Sequence, residues 1–252
     1  MLSFIGLTAA LHMDKKKKLL PWFVPKASPA FAVLVRNLGH KVVHSRGDIL
    51  YDSEKIFERL MYVQSGIAAK AVFLPGFETP FFLSLALPGS LIGCIDTIYA
   101  KDLLPRRHWA VSNCELLTVP KELMLKLADH EVEWHKQLAS YNAYSNLSDR
   151  MGLMTSRASD SERRLGVFLV SFCNRSNASI LEELEDIKKE WIVLSSLPPR
   201  RLIAQVIGCE VELVDRILLS WIHEGTFKKI HRNLLIRREK LLDDWNWLSR
   251  FG

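Results

Sequence analysis

Residues 200–240 constrain the fold more than any other stretch of the chain. Leu202, Ile203, Val206 and Ile207 recur at the spacing of a helix with one buried face. Gly208-Cys209 interrupts that pattern, and a glycine there supplies the left-handed residue that ends a helix and redirects the chain. Val211, Val214, Ile217, Leu218 and Trp221 mark a second amphipathic helix, closed by Gly225. Thr226 to Ile236 then reads as two short strands around His231-Arg232-Asn233. Two helices joined by about three or four residues that include a glycine form a helix-turn-helix. The hairpin after them makes it a winged one.

The second helix is the one such a unit lays in the major groove of DNA. Its outer face offers Glu210, Glu212, Asp215 and Arg216. An arginine can read guanine there, and a glutamate can accept from cytosine. Three acids beside one arginine are a poor match for a polyanion, since non-specific affinity depends on cations. Cations are supplied elsewhere. Lys228, Lys229, His231 and Arg232 sit in the wing, and residues 226–240 carry a formal excess of five positive charges. The wing is therefore expected to take phosphate contacts, unless the run is only a solvated face.

Ile203 to Cys209 and Val214 to Leu218 resemble the DNA-binding end of the cyclic-AMP receptor / fumarate-nitrate regulator (Crp/Fnr) superfamily. Gly47-Asp48-Ile49-Leu50-Tyr51, Met61 to Gly66 and Leu87 to Gly93 resemble the glycine-punctuated strands of its β-roll sensor domain. The resemblance covers about residues 30 to 240. It implies an α+β chain with an N-terminal β-roll of jelly-roll type, a long dimerisation helix and a C-terminal winged helix. By the family's pattern, Arg200, with Arg201 beside it, is expected on a phosphate, and Glu212 and Arg216 on base edges. It further implies double-stranded DNA with a palindromic operator, a second copy of the chain, and RNA polymerase as partners.

The sensor pocket departs from that pattern. Cyclic-nucleotide sensors of the family use a glutamate for the ribose and an arginine for the cyclic phosphate. Here Cys94 stands after Gly93 in the glutamate's place, and Leu104-Pro105 fall where the arginine and its neighbour belong. Arg106 and Arg107 lie slightly later, so a shifted loop still offers a cation. Cys94, Arg106 and Arg107 are the candidate effector pocket, cyclic AMP is not the expected ligand, and no cofactor is expected. If the roll closes Cys94 onto the two arginines, its pKa would fall and it would serve as a redox sensor. His40, His44 and His108 are lone histidines, for which surface or packing roles are the default over haem ligation.

The bulk properties are those of a soluble globular protein: 252 residues, 48% apolar, 25% charged, net charge +6. The basic balance favours an anionic partner. Cys94, Cys114, Cys173 and Cys209 are scattered without a CxxC pair, so neither a metal nor an iron–sulfur site is expected. They read as reduced buried thiols in a cytoplasmic protein. The apolar run MLSFIGLTAALHM precedes Lys15 to Lys18, the reverse of a secretory signal, and is too short to span a bilayer. Stable membrane association is not expected, although a surface anchor and initiation at Met13 both stay open.

Along the chain, residues 1–29 read as a tail interrupted by Pro21, Pro25 and Pro29, and 30–119 as the β-rich half. Candidate strands there are 33–35, 49–51, 60–63, 68–74, 81–87, 109–111 and 115–119. Residues 120–157 form the connecting helical region, with Pro120 at a first helical position and room for one short and one long helix. Tyr144, Leu147, Met151 and Met154 repeat at three and four, a seam suited to a partner helix. Trp134, Leu138 and Tyr141 form a second stripe at the same spacing; one stripe suits the roll and the other a second copy, unless both are intrachain core. Residues 158–240 hold the reader and 241–252 a tail. A chain that kept this fold as a protein–protein module without DNA binding is the first rival reading. An enzyme ranks last, because no nucleophile triad, metal set or phosphate loop is present.

Overall fold

In a computed structural model, described for residues 19–55, 58–99, 104–177, 179–194, 197–230 and 233–251, the chain divides into two compact units. The apolar run and lysine cluster near the N-terminus lie outside the described residues.

The first unit includes residues 24–148. It begins with helix α1 (Pro29–Leu38), then strands β1 (His40–His44), β2 (Ile49–Asp52), β3 (Arg59–Ser65), β4 (Ala68–Val72), β5 (Phe81–Ala86) and β6 (Leu91–Gly93). A 3-10 turn, Cys94–Thr97, leads on to β7 (Arg106–Ala110) and β8 (Cys114–Pro120). The strands form two antiparallel four-stranded sheets, ordered β1-β8-β3-β6 and β2-β7-β4-β5. This is the β-roll. Leu50, Leu60, Val63, Leu91 and Leu116 fill its interior. Helix α2 (Lys121–His130) and the long helix α3 (Val132–Ala158) follow, broken at an extended Glu131. Leu138 and Tyr141 of α3 are buried in the roll's core and Trp134 packs against it, as their stripe suggested. The Tyr141 hydroxyl donates to the Leu91 carbonyl and accepts from its amide, tying helix to strand.

Two expectations are corrected. Residues 33–35 are not a strand but the centre of α1. The Ser28 hydroxyl accepts from the Phe31 amide at 3.2 Å, Pro29 starts the helix, and Phe31 and Val35 bury one face. The β-branched pair around Leu34 hid that start signal. Nor do residues 20–29, the end of the expected tail, stand clear of the folded units. Trp22 and Phe23 are buried in the second unit, Phe23 packing 5.3 Å from Phe168 between ring centroids. Val24, in the first unit, donates its amide to the Leu85 carbonyl. Enough apolar surface sits between the prolines to anchor the segment.

The second unit comprises Leu20–Phe23 and Asp149–Gly252, so the division falls inside α3. After α3 come α4 (Ser161–Ser176), α5 (Ile180–Glu185), β9 (Trp191–Leu194), α6 (Arg200–Ile207), α7 (Val211–His223), β10 (Phe227–Ile230), β11 (Asn233–Arg237) and α8 (Arg238–Leu248). The wing is three-stranded, ordered β10-β11-β9. Residues 238–248, whose last part was expected as a tail, form a helix with Leu241, Asp244, Trp245 and Leu248 buried. Leu241, Trp245 and Leu248 recur at four and three, which is the core face of a helix. Among the described residues, no helix is long and apolar enough to cross a membrane.

Candidate nucleic-acid interface

Helices α6 and α7 are joined by Gly208, Cys209 and Glu210. Gly208 has φ 66° and ψ 53°, the left-handed conformation that ends α6. Leu202, Ile203, Val206 and Ile207 of α6 are buried, as are Val214, Leu218 and Trp221 of α7. That leaves one outward face on α7, which begins with Glu212 and Arg216.

The first turn of α4 holds this pair of helices in place. Arg164 donates to the carbonyls of Ile207 (2.7 Å) and Gly208 (3.1 Å), capping the C-terminal end of α6. The Trp221 indole N–H donates to Glu162 at 2.9 Å, fixing the rotation of α7. Arg163 pairs with Asp243 at 2.6 Å and Asp244 at 2.7 Å on α8. Three consecutive side chains thus engage three different helices. Nothing near residues 162–164 in the sequence signals these contacts, because every one of the partners lies more than forty residues away.

The expected DNA-contacting cations have unlike surroundings. Arg216, Arg201 and Lys229 are exposed and make no hydrogen bond or ion pair among the described residues. Arg200 pairs with Asp215 at 2.5 Å. Lys228 lies over the Trp191 ring, 3.5 Å from its centroid, and Arg237 approaches the same ring at 4.6 Å while pairing with Glu190. His231 and Arg232 lie outside the described residues. Glu212 is exposed.

The candidate effector residues do not form one cluster. Residues of β7 alternate, so Arg106 and His108 face the roll's interior while Arg107 turns outward to Asp52 (3.0 Å) and Glu54 (3.4 Å). Arg106 pairs with Asp96 at 2.7 Å, and Lys70 of β4 reaches the same carboxylate oxygen at 3.1 Å. Lys70 also donates to Ser145 of α3 at 3.2 Å. Lys70 and Asp96 side chains are each 2% exposed. Burial alone would raise the Asp96 carboxyl, but Lys70 and Arg106 outweigh it and hold it well below the usual carboxylate range. His108 accepts from the Gly93 amide at Nδ1 (3.0 Å), and burial with Arg106 nearby keeps its ring neutral. Cys94 is no activated thiol: burial pushes it up to about 12, and the nearby cations offset only part of that. Lys70 and Asp96 were missed in the sequence. The signal was a single lysine inside the apolar run Ala68 to Leu74, which is costly unless paired.

No protein-family model matches the chain, and no curated protein matches it either. Solved structures do. FixK2 from Bradyrhizobium japonicum superposes with a TM-score of 0.65 at 15% identity, covering 82% of this chain and 96% of that one. A Crp-family transcriptional regulator from Thermus thermophilus superposes with a TM-score of 0.57 at 15% identity, covering 81% and 96%. A cyclic nucleotide-binding domain containing protein from Listeria monocytogenes gives 0.58 at 13% identity, covering 83% and 97%. The chain therefore has the fold of Crp/Fnr-type regulators, roll and winged helix included.

Proposed function

We propose that this chain is a DNA-binding transcription regulator that acts as a homodimer, with α7 in the major groove and without control by cyclic AMP. One observation carries the reading. Arg216 stands exposed and unpartnered among the described residues, on the outer face of a helix whose position is fixed by Gly208, Arg164 and Glu162. Together with Glu212, one helical turn before it, it is available for base edges. The similar structure from Thermus thermophilus, a transcriptional regulator, points in the same direction.

The dimer rests on α3. Leu147 and Met154 are exposed there, with Tyr144 and Met151 half-buried, an apolar stripe suited to a second copy. Such a dimer would read a palindrome with half-sites about 34–36 Å apart. RNA polymerase would be met at the promoter. Independence from cyclic AMP rests on the roll's interior, where Asp96 already pairs with Lys70 and Arg106 and would repel a phosphate.

The test is selection of genomic fragments by the purified protein at near-physiological salt, without added ligand, with its mass in solution measured alongside. An enriched palindrome bound by a dimer is the expected result. Absence of any enriched site, with and without cyclic AMP, would sink the reading. A second reading, a protein-binding module on the same fold, is favoured by Leu219 and Ile222, which are 55% and 47% exposed on α7. Enrichment of a protein partner with no DNA site would select it.

A further inference from the structure

Arg200 opens α6, where helix amides and a guanidinium together would receive a phosphate. Its guanidinium is instead engaged by the Asp215 carboxylate of α7 at 2.5 Å. Both groups are at the surface, Arg200 62% and Asp215 39% exposed, so solvent and a DNA strand can reach them. We propose that Asp215 is a specificity-determining residue, which acts by keeping Arg200 from the DNA phosphates. This rests on the DNA-reader function proposed above and deepens it.

The physical case is a competition for one fork. A phosphate contact adds affinity on every sequence alike, because the backbone is the same everywhere. A carboxylate that occupies the guanidinium lowers this sequence-blind term. It leaves the base-reading pair Glu212 and Arg216 untouched, since neither has a partner among the described residues. The ratio of specific to non-specific binding then rises. The same economy recurs in the wing, where Arg237 pairs with Glu190 and Lys228 rests on Trp191. Much of the reader's basic charge is thus already engaged within the unit. Neither partner of the Arg200 pair is buried or packed in the core, so both can be altered without unfolding the unit.

The experiment compares wild type, Arg200→Ala, Asp215→Ala and the double variant on a random-sequence duplex across a range of salt. Each added phosphate contact steepens the dependence of log K on log salt by about 0.9. Wild type and Arg200→Ala are expected to share one slope. Asp215→Ala is expected to be steeper by about 1 to 2 in a dimer, with a several-fold gain in random-sequence affinity near 0.1 M salt. The double variant should return to the wild-type slope. A flatter slope for Arg200→Ala would show Arg200 already on phosphate and overturn the proposal. So would an unchanged slope for Asp215→Ala, or a double variant as steep as Asp215→Ala, which would assign the effect to carboxylate repulsion alone. If neither wild type nor Asp215→Ala binds duplex DNA at the lowest salt, the DNA-reader function falls, and this inference with it.

Discussion

The carboxylate of Asp244 occupies the space that a side chain at residue 166 would need: a Cβ built on Gly166 would lie 1.8 Å from Asp244 Oδ2. Gly166 lies in the middle of α4, where glycine is otherwise a poor helix former. Its presence lets α8 bring a buried acid against α4, within 2.7 Å of Arg163 and 3.5 Å of Lys240. The close approach thus seats α8 on α4.

Gly166→Ala is therefore expected to destabilise the second unit despite alanine's better helix propensity. Overpacking of this kind costs about 1–3 kcal/mol. Urea unfolding of Gly166→Ala, Asp244→Ala and the pair forms a cycle in which the pair should be less destabilised than the two single changes added together. Strict additivity would show that the two positions do not meet.

The same acid sets a pH dependence of unusual sign. Burial outweighs Lys240 and Arg163 and raises Asp244 from its ordinary 3.8 to about 6. Between those values the folded state holds the proton more tightly than the unfolded chain. Stability of the second unit should therefore fall as pH rises from about 4 to about 6 and stay level above, by about 3 kcal/mol at most. Asp96 works the other way in the roll. Its carboxyl is held low, so its contribution is present above about 4 and is lost on acidification. Urea unfolding of wild type against Asp244→Asn at several pH values checks the first effect. The stability gap should widen up to about pH 6 in favour of Asn, and a pH-independent gap would contradict it.

Removing the roll's internal carboxylate should create a site for a small anion. Asp96→Ala leaves Lys70 and Arg106 buried without their shared partner, a loss of about 3–5 kcal/mol for a broken buried pair. Acetate or formate is expected to raise the melting temperature of Asp96→Ala while leaving wild type unchanged. Cyclic AMP should give no binding heat with the wild-type protein. A variant as stable as wild type in plain buffer would mean that the carboxylate does not anchor the two cations.

The winged helix was legible because its signals are local. The left-handed Gly208, the two short periodicities and the wing's alternation each lie within a few residues. Most roll strands were legible through their glycine punctuation, yet β1 and β6 were not, and neither was β9 of the wing. Leu91–Gly93 is too short to show alternation, and His40–His44 is largely exposed. The α8 helix escaped because Asp243 and Asp244 break up its apolar pattern, and only Arg163 of α4 shows why they are there. The polar interior of the roll was least legible of all. Lys70, Asp96, Arg106 and Ser145 come from two strands, a 3-10 turn and a helix, and only the sheet register brings them together. Spacing along the chain carries no trace of that.

Arg216 and Lys229 should separate reading from holding. Both are exposed cations without an internal partner among the described residues, but one lies on α7 and the other on the wing. Arg216→Ala is expected to cost about 1–3 kcal/mol per half-site on the selected operator and to relax the base preference at one position. Random-sequence affinity should change far less. Lys229→Ala should weaken operator and random duplex alike and flatten the salt dependence by about 1 for each phosphate that Lys229 neutralises. Titrations of both variants on operator and scrambled duplexes at two salt concentrations make the comparison. Equal loss on both duplexes for Arg216→Ala would place this arginine on the backbone, and the base-reading role would then have to pass to Glu212 or to the wing.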